Sequence, residues 1–255
     1  MKNLKSLIKN NEFFLGLFYK TPSSVVAEVL SQTDLDVIVL DTEHAPFDRL
    51  SADQCISIFR LAGKPVLARP PSTNPEYIQY LLDSGATGIL APHINSVERA
   101  KDLVDACLYG KGRRGYSGST RAAQFGKLTM ENYINHVNQN VVVIAMIEDL
   151  DAIDNLDDIF QVEGIDAFFI GRADLAASMG ETSVLSESPM ALTEKILDVA
   201  KKANKSVGML AVSTADAAYW RLKGAKFFFM SSDQALLMQA ANALVSDVKA
   251  ASDPH

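Results

Sequence analysis

The stretch VVVIAMIED occupies residues 141–149, seven apolar residues in a row that end on two carboxylates. A strand with one wet face alternates apolar and polar residues, whereas a run apolar at every position fits a strand of a parallel sheet covered on both faces. FFFM at 227–230 has the same character. Working outward, eight such runs recur roughly every 25 residues with helical patterns between them, the signature of repeated βα units. They are Phe13–Tyr19, Val37–His44, Pro65–Arg69, Gly88–His93, Val141–Glu148, Ala167–Gly171, Ser206–Val212 and Ala225–Ser231. Eight parallel strands in 255 residues predict an α/β fold, a closed (β/α)8 TIM barrel, as a single domain over residues 1–255.

Apolar residues near a helical period place outer helices at Pro22–Leu30, Asp48–Leu61, Pro75–Leu82, Val97–Leu108, Leu150–Phe160 and Thr193–Ala203. The fourth connection carries GKGRRGYSGSTRAAQFGK at 110–127, too rich in Gly, Ser and Arg for an element interior, and reads as a functional loop or active-site flap. Gln234–Ala250 forms an apolar-striped terminal helix, read first as the helix that closes the barrel.

A hydrophobic fraction of 48% allows a full core, and a net charge of −7 leaves no basic footprint for nucleic acid or an anionic membrane. A small-molecule substrate is the expectation. Cys55 and Cys107, at no metal-ligand spacing, read as buried thiols. The start MKNLKSLIKNNEFF lacks an apolar signal core, and no apolar run is long enough to span a bilayer, so a cytoplasmic enzyme is expected.

Barrel active sites lie where strands end, so polar residues closing a strand pattern carry the most information. That filter selects Asp41, Glu43 and His44, then Arg69, His93, Glu148 with Asp149, and Gly171-Arg172-Ala173-Asp174. Glu148 and Asp174 end adjacent strands without thiolate or clustered imidazole, which suits a hard ion such as Mg²⁺, Mn²⁺ or Co²⁺. They equally suit helix capping, and residue types alone leave both readings open. His44 is placed to move a proton, with Asp41 or Glu43 to orient it, and Arg69 to meet a carboxylate or enolate or to form a rim salt bridge. His136 and His255 read as solvated, and Trp220 and Phe227–Phe229 as packing.

Together DTEHAPFD (41–48), LARPP (67–71), LLDSGATGILAPHINSVERA (81–100), GRRGYSGSTRAA (112–123), MIED (146–149) and GIDAFFIGRADLAASMG (164–180) resemble the HpcH/HpaI family of class II pyruvate aldolases, 4-hydroxy-2-oxoheptanedioate aldolase among them. The resemblance implies a divalent-metal-dependent lyase that reversibly cleaves a 4-hydroxy-2-oxo acid to pyruvate, or a close 2-oxo acid, and an aldehyde through a metal-bound enolate. It implies Glu148 and Asp174 as metal ligands, Arg69 on the pyruvate oxygens, His44 with Asp41 as the acid/base group, and Asp83 reaching toward a neighbouring subunit's site. It further implies a homo-oligomer, hexamer or trimer, with exchange of the terminal helix. Three positions depart from the family pattern. Met146 stands where Gln is common, Arg172 where Gly-Pro-Ala-Asp has its proline, and His93 where an apolar residue follows the strand-four proline. These put the substrate contacts of Met146, His93, Gly171, Arg172 and Ala173 in question. Competing expectations are a related enolate enzyme, decarboxylating oxaloacetate or resembling citrate lyase, and a non-catalytic metabolite-binding barrel.

Overall fold

The structure is a computed structural model that describes residues 3–110 and 113–252; His255 lies outside them. In chain order the elements are α1 (Leu4–Lys9), β1 (Phe14–Tyr19), α2 (Ser24–Ser31), β2 (Val37–Asp41), α3 (Arg49–Leu61), β3 (Val66–Arg69), α4 (Pro75–Asp83), β4 (Gly88–Ala91), α5 (Val97–Cys107), α6 (Met130–Asn140), β5 (Val142–Ile147), α7 (Leu156–Phe160), β6 (Ala167–Ile170), α8 (Arg172–Ser178), α9 (Glu187–Lys202), β7 (Ser206–Leu210), α10 (Thr214–Lys223), β8 (Phe227–Ser232) and α11 (Asp233–Ser252). The strands close in sequence order, β1 pairing with both β2 and β8, and every pairing is parallel. This is the (β/α)8 barrel expected from the eight runs.

The unbroken apolar runs conceal a period of two. Val37 and Val39 of β2 and Phe227 and Phe229 of β8 join an inner core, while Ile38, Leu40 and Phe228 join the layer between barrel and helices. Inside, Phe14 stacks on Phe227 at 4.6 Å and Phe169 on Phe229 at 5.0 Å. Leu4, Leu7 and Ile8 of α1 belong to the same inner cluster, and Lys5 Nζ binds the Val141 carbonyl and Asp166 beside the starts of β5 and β6. α1 therefore plugs the end of the barrel opposite the strand C-termini, a role not anticipated from its sequence.

Helix starts follow side-chain chemistry. Ser23, Asp48, Asn74, Ser96, Thr129 and Ser213 each accept a main-chain N–H in the first turn of the helix they precede. The stretch expected as one helix over 150–160 is instead a 3₁₀ turn, Leu150–Asn155, followed by α7, and α9 begins six residues before the expected Thr193.

The loop at 110–127 also departs from expectation. It joins the end of α5 to α6, so it returns to the strand N-termini. There the Ala122 N–H meets the Asp83 carbonyl at 3.2 Å, while the Arg121 side chain reaches along α3 to Asp53, Nη2 to Oδ2 at 2.7 Å. Its described residues, 110 and 113–127, do not line the cavity at the strand C-termini of its own barrel.

Candidate active site

The strand C-termini surround a cavity of about 340 Å³ lined by Phe18, Lys20, Asp41, His44, Arg69, Met146, Phe169, Gly171–Asp174, Leu210, Val212 and Ser231, among others. A second groove is lined by Pro92, His93, Asp149 and Ser178, among others.

Asp41, fully buried at the end of β2, accepts Arg69 Nε on Oδ1 at 3.0 Å and Arg69 Nη2 on Oδ2 at 2.8 Å, across the β2–β3 pairing that puts the two residues side by side. Its Oδ1 also accepts the main-chain N–H groups of Glu43 and His44, which turns the chain sharply after the strand. Burial pushes the Asp41 pKa up, but Arg69's hydrogen bonds and charge outweigh it and the carboxyl lies below its ordinary value. The guanidinium rests on the Phe18 ring at 4.8 Å. Asp41 thus reaches the main chain of His44, while the exposed His44 ring has its Nε2 3.7 Å from Glu43 Oε2. Glu43 Oε2 also lies 3.2 Å from Arg69 Nε as an ion pair, and burial raises its pKa against the pull of Arg69 and the two histidines.

Glu148 is buried just past β5, and its Oε1 accepts the main-chain N–H of His93 at 2.8 Å. His93 makes that contact from a left-handed backbone, φ +57°, with its ring Nδ1 3.1 Å from Asp149 Oδ1. Burial alone would lower the imidazole pKa; the Asp149 contact and the charges of Glu148, Asp149 and Glu43 outweigh it and raise it. Burial, with a smaller push from Asp174, lifts Glu148 to about 7.

Gly171 explains how this carboxylate stays open. A Cβ there would lie 2.5 Å from Glu148 Cβ and 2.7 Å from Oε2, so any side chain would occupy the space that the carboxylate faces. A buried carboxylate with one oxygen answered by an N–H and the other in a space kept clear, within the field of a second carboxylate, fits a divalent cation. Among the described residues no group of three or more His, Cys, Asp and Glu is placed to hold an ion, so two carboxylates would leave positions for water and substrate oxygens.

The other expected residues divide clearly. Met146 is buried in the cavity wall. Arg172 turns its guanidinium away, donating from Nη1 to Asp216 Oδ2 at 2.7 Å and from Nη2 to the Val184 carbonyl at 3.2 Å, with Trp220 beneath it at 4.9 Å. Asp83 ends α4 on the loop side, 3.4 Å from Arg114 Nη2, and does not join this cavity. His136 lies in α6, away from it. Lys20 and Ser231 do join it without having been selected from sequence, although each closes a strand pattern, β1 and β8, and the strand-end filter extends to both.

A parallel barrel whose strand ends gather an aspartate-held arginine, two histidines and the carboxylates of Glu43, Glu148 and Asp174 has the makings of a site for a small acid. A family model described as HpcH/HpaI aldolase/citrate lyase matches residues 15–240. The chain is 33% identical over 240 residues to a hydroxypyruvate/pyruvate aldolase of Roseovarius nubinhibens, covering 93% of each. It is 34% identical over 230 residues to a 2-keto-3-deoxy-L-rhamnonate aldolase of Klebsiella pneumoniae, covering 89% of this chain and 85% of that one. A solved HpcH/HpaI aldolase/citrate lyase family protein from Burkholderia cenocepacia superimposes with a TM-score of 0.91 at 28% identity, covering 98% and 100% of the two chains. The chain belongs to the HpcH/HpaI aldolase/citrate lyase family, and is a carbon–carbon lyase of the aldolase type.

Proposed function

We propose that this barrel reversibly cleaves a 4-hydroxy-2-oxo acid to pyruvate, or a close 2-oxo acid, and an aldehyde. The observation that carries the reading is the cavity itself, lined by Asp174, by Gly171 that borders the Glu148 carboxylate, and by Arg69 held by Asp41. Glu148 and Asp174 would hold a divalent cation, Mg²⁺, Mn²⁺ or Co²⁺, whose charge supplies Lewis-acid stabilisation to the 2-oxo acid as it becomes an enolate.

Arg69 meets the oxygens of the 2-oxo acid, its planar fork fixed by Asp41 so that no ordering cost falls on the substrate. Gly171, Arg172 and Ala173 border the substrate through their main chain, and Met146 gives that wall an apolar surface. His44 moves the proton. In cleavage it receives the proton of the 4-hydroxyl as the C3–C4 bond breaks; the bond pair becomes the enolate, the aldehyde departs, and a proton returns to C3 to give pyruvate. Glu43 holds the ring near Arg69.

The assembly is a homo-oligomer, hexamer or trimer, in a cytoplasmic setting. α11 packs on the barrel at β1 and β8 yet leaves Leu237, Met238, Leu244, Val245 and Val248 exposed, an apolar face that exchange of this helix between subunits would cover. Asp83, at the end of α4 and outside its own cavity, would serve a neighbouring subunit's site in such an assembly. No helix among the described residues is long and apolar enough to cross a membrane.

The test is pyruvate release from a panel of 4-hydroxy-2-oxo acids by EDTA-stripped protein with and without Mn²⁺. Release restored by the ion supports the reading, and undiminished release from stripped protein defeats it.

A further inference from the structure

Glu148 and Asp174 are held in different ways. Glu148 has a partner of its own, the His93 main-chain N–H at 2.8 Å on Oε1. Asp174 lines the cavity from the exposed side of α8, and among the described residues no hydrogen bond or ion pair reaches its side chain. Its place therefore follows the main chain of α8. That helix has only seven residues, too few to be stable alone, and Gly171 before it offers no side chain to cap the first turn. What fixes it must come from contacts with the rest of the barrel.

Three residues of α8 are buried, Arg172, Leu175 and Ala176, at the spacing of one helix face. Leu175 and Ala176 contribute apolar contact, which has no direction. Arg172, two residues before Asp174, supplies contacts that do. Its side chain reaches three separate segments. Nη1 donates to Asp216 Oδ2 of α10 at 2.7 Å, Nη2 donates to the Val184 carbonyl between α8 and α9 at 3.2 Å, and Nη1 lies 3.5 Å from the Leu210 carbonyl at the end of β7.

Asp216 is itself fixed on its other sides. Oδ2 also accepts the Val212 main-chain N–H at 3.0 Å, Oδ1 accepts Trp220 Nε1 at 2.8 Å, and the Asp216 N–H donates to Ser213 Oγ at 3.1 Å. The Trp220 ring lies 4.9 Å from the Arg172 guanidinium. Both charged side chains are buried, 2% and 4% exposed. A buried ion pair adds little net stability over apolar residues of the same volume, because both charges must be desolvated. What it adds is direction: a planar guanidinium bonded to fixed acceptors accepts one placement, where packed methylenes accept several.

We propose that Arg172 is a positioning residue for the cation site: by tying the first turn of α8 to α10, β7 and the connection to α9, it sets where Asp174 stands relative to Glu148. The proposal rests on the reading that these two carboxylates hold a divalent cation. Glu148 follows β5 and Asp174 follows β6, so no single element fixes their separation. Small divalent ions demand near-ideal placement of their oxygens, and a loosened α8 would lose it.

The test is calorimetric titration of metal-stripped protein with Mn²⁺, well below each variant's melting temperature, beside thermal melts of the same samples. Arg172→Met lowers Mn²⁺ affinity by about tenfold or more, the usual effect of removing a residue that orients a metal ligand. Arg172→Lys, which keeps a charge for Asp216 but loses the fork that also reaches Val184, falls between that variant and wild type. Arg172→Met with Asp216→Asn separates positioning from folding. With no buried carboxylate left unpaired, its melting temperature returns toward wild type, while Mn²⁺ affinity stays low because the tie between α8 and α10 is gone. If Arg172→Met alone does not fold, the lysine and double variants carry the comparison. Affinity that recovers with stability in the double variant, or that equals wild type in Arg172→Met, overturns the positioning role and leaves the cation reading standing. No binding of Mn²⁺ by the wild-type protein overturns both.

Discussion

Asp41 and Arg69 form a two-pronged ion pair, Nε to Oδ1 at 3.0 Å and Nη2 to Oδ2 at 2.8 Å, between register partners on adjacent strands at the mouth of the barrel. Both groups are buried, so each is satisfied mainly by the other. Asp41→Ala would strand the Arg69 charge, at a cost of about 3–5 kcal/mol for a broken buried pair. Asp41→Asn keeps the shape and loses one acceptor. It is expected to lower kcat/KM by about tenfold or more through the loosened Arg69. Because the folded pKa of Asp41 is depressed, its stabilising contribution is present above the unfolded value of about 3.9 and is lost as pH falls below it toward the folded value. Thermal melts from pH 6 to 2 should therefore fall less steeply for Asp41→Asn than for wild type; parallel curves would contradict the linkage.

Glu148 lies near 7 before any ion binds, so protons compete with a cation for it. Mn²⁺ affinity should weaken as pH drops below about 7, approaching tenfold per unit, and level off above about 8. Asp174 contributes to that raised value, so Asp174→Asn should move the midpoint downward as well as weaken binding. Calorimetric titrations at pH 6, 7 and 8 supply the comparison, and a pH-independent affinity in wild type would be inconsistent with it.

His44→Ala should reduce both C3 proton exchange in pyruvate and aldol cleavage by about 10²–10⁴-fold, the usual worth of a positioned proton carrier. Its exposed ring belongs to no core, so the melting temperature should change little. Near-wild-type exchange would remove His44 from the proton path.

Arg172 and Met146 separate stability from selectivity. Arg172→Met leaves Asp216 buried without its partner and should cost about 3–5 kcal/mol, largely recovered when Asp216→Asn is added. Met146→Gln instead places an amide in the cavity wall and should shift relative kcat/KM across pyruvate, oxaloacetate and longer 2-oxo acids. If Arg172→Met shifts that selectivity as strongly at a temperature where it stays folded, its role is not the one the Asp216 contact describes.

The exposed apolar face of α11 gives the last expectation. Leu237→Lys with Leu244→Lys should convert the assembly to smaller species in light scattering while leaving the barrel's circular dichroism unchanged, since both side chains point away from the core. An unaltered mass would place the interface elsewhere.

Much of this protein was decided by local sequence. Eight apolar runs at βα spacing fix a closed parallel barrel, because strands apolar on both faces need helices outside and a filled interior. The strand-end rule then selects Asp41, Glu43, His44, Arg69, His93, Glu148 and Asp174 from the same runs. Tertiary structure decided which of these meet. That Asp41 clasps Arg69 while Glu43 faces the His44 ring depends on strand register and a turn set by two main-chain N–H bonds. That Arg172 serves Asp216 depends on β7 and α10 arriving from some 40 residues later in the chain. That Ser231 takes a left-handed backbone at the rim depends on a bulge between the first strand and the last. Sequence reports the period and chemistry of neighbours along the chain. Barrel closure brings residues far apart in the chain to one rim, and their distances there determine which charges cancel and which remain for a ligand.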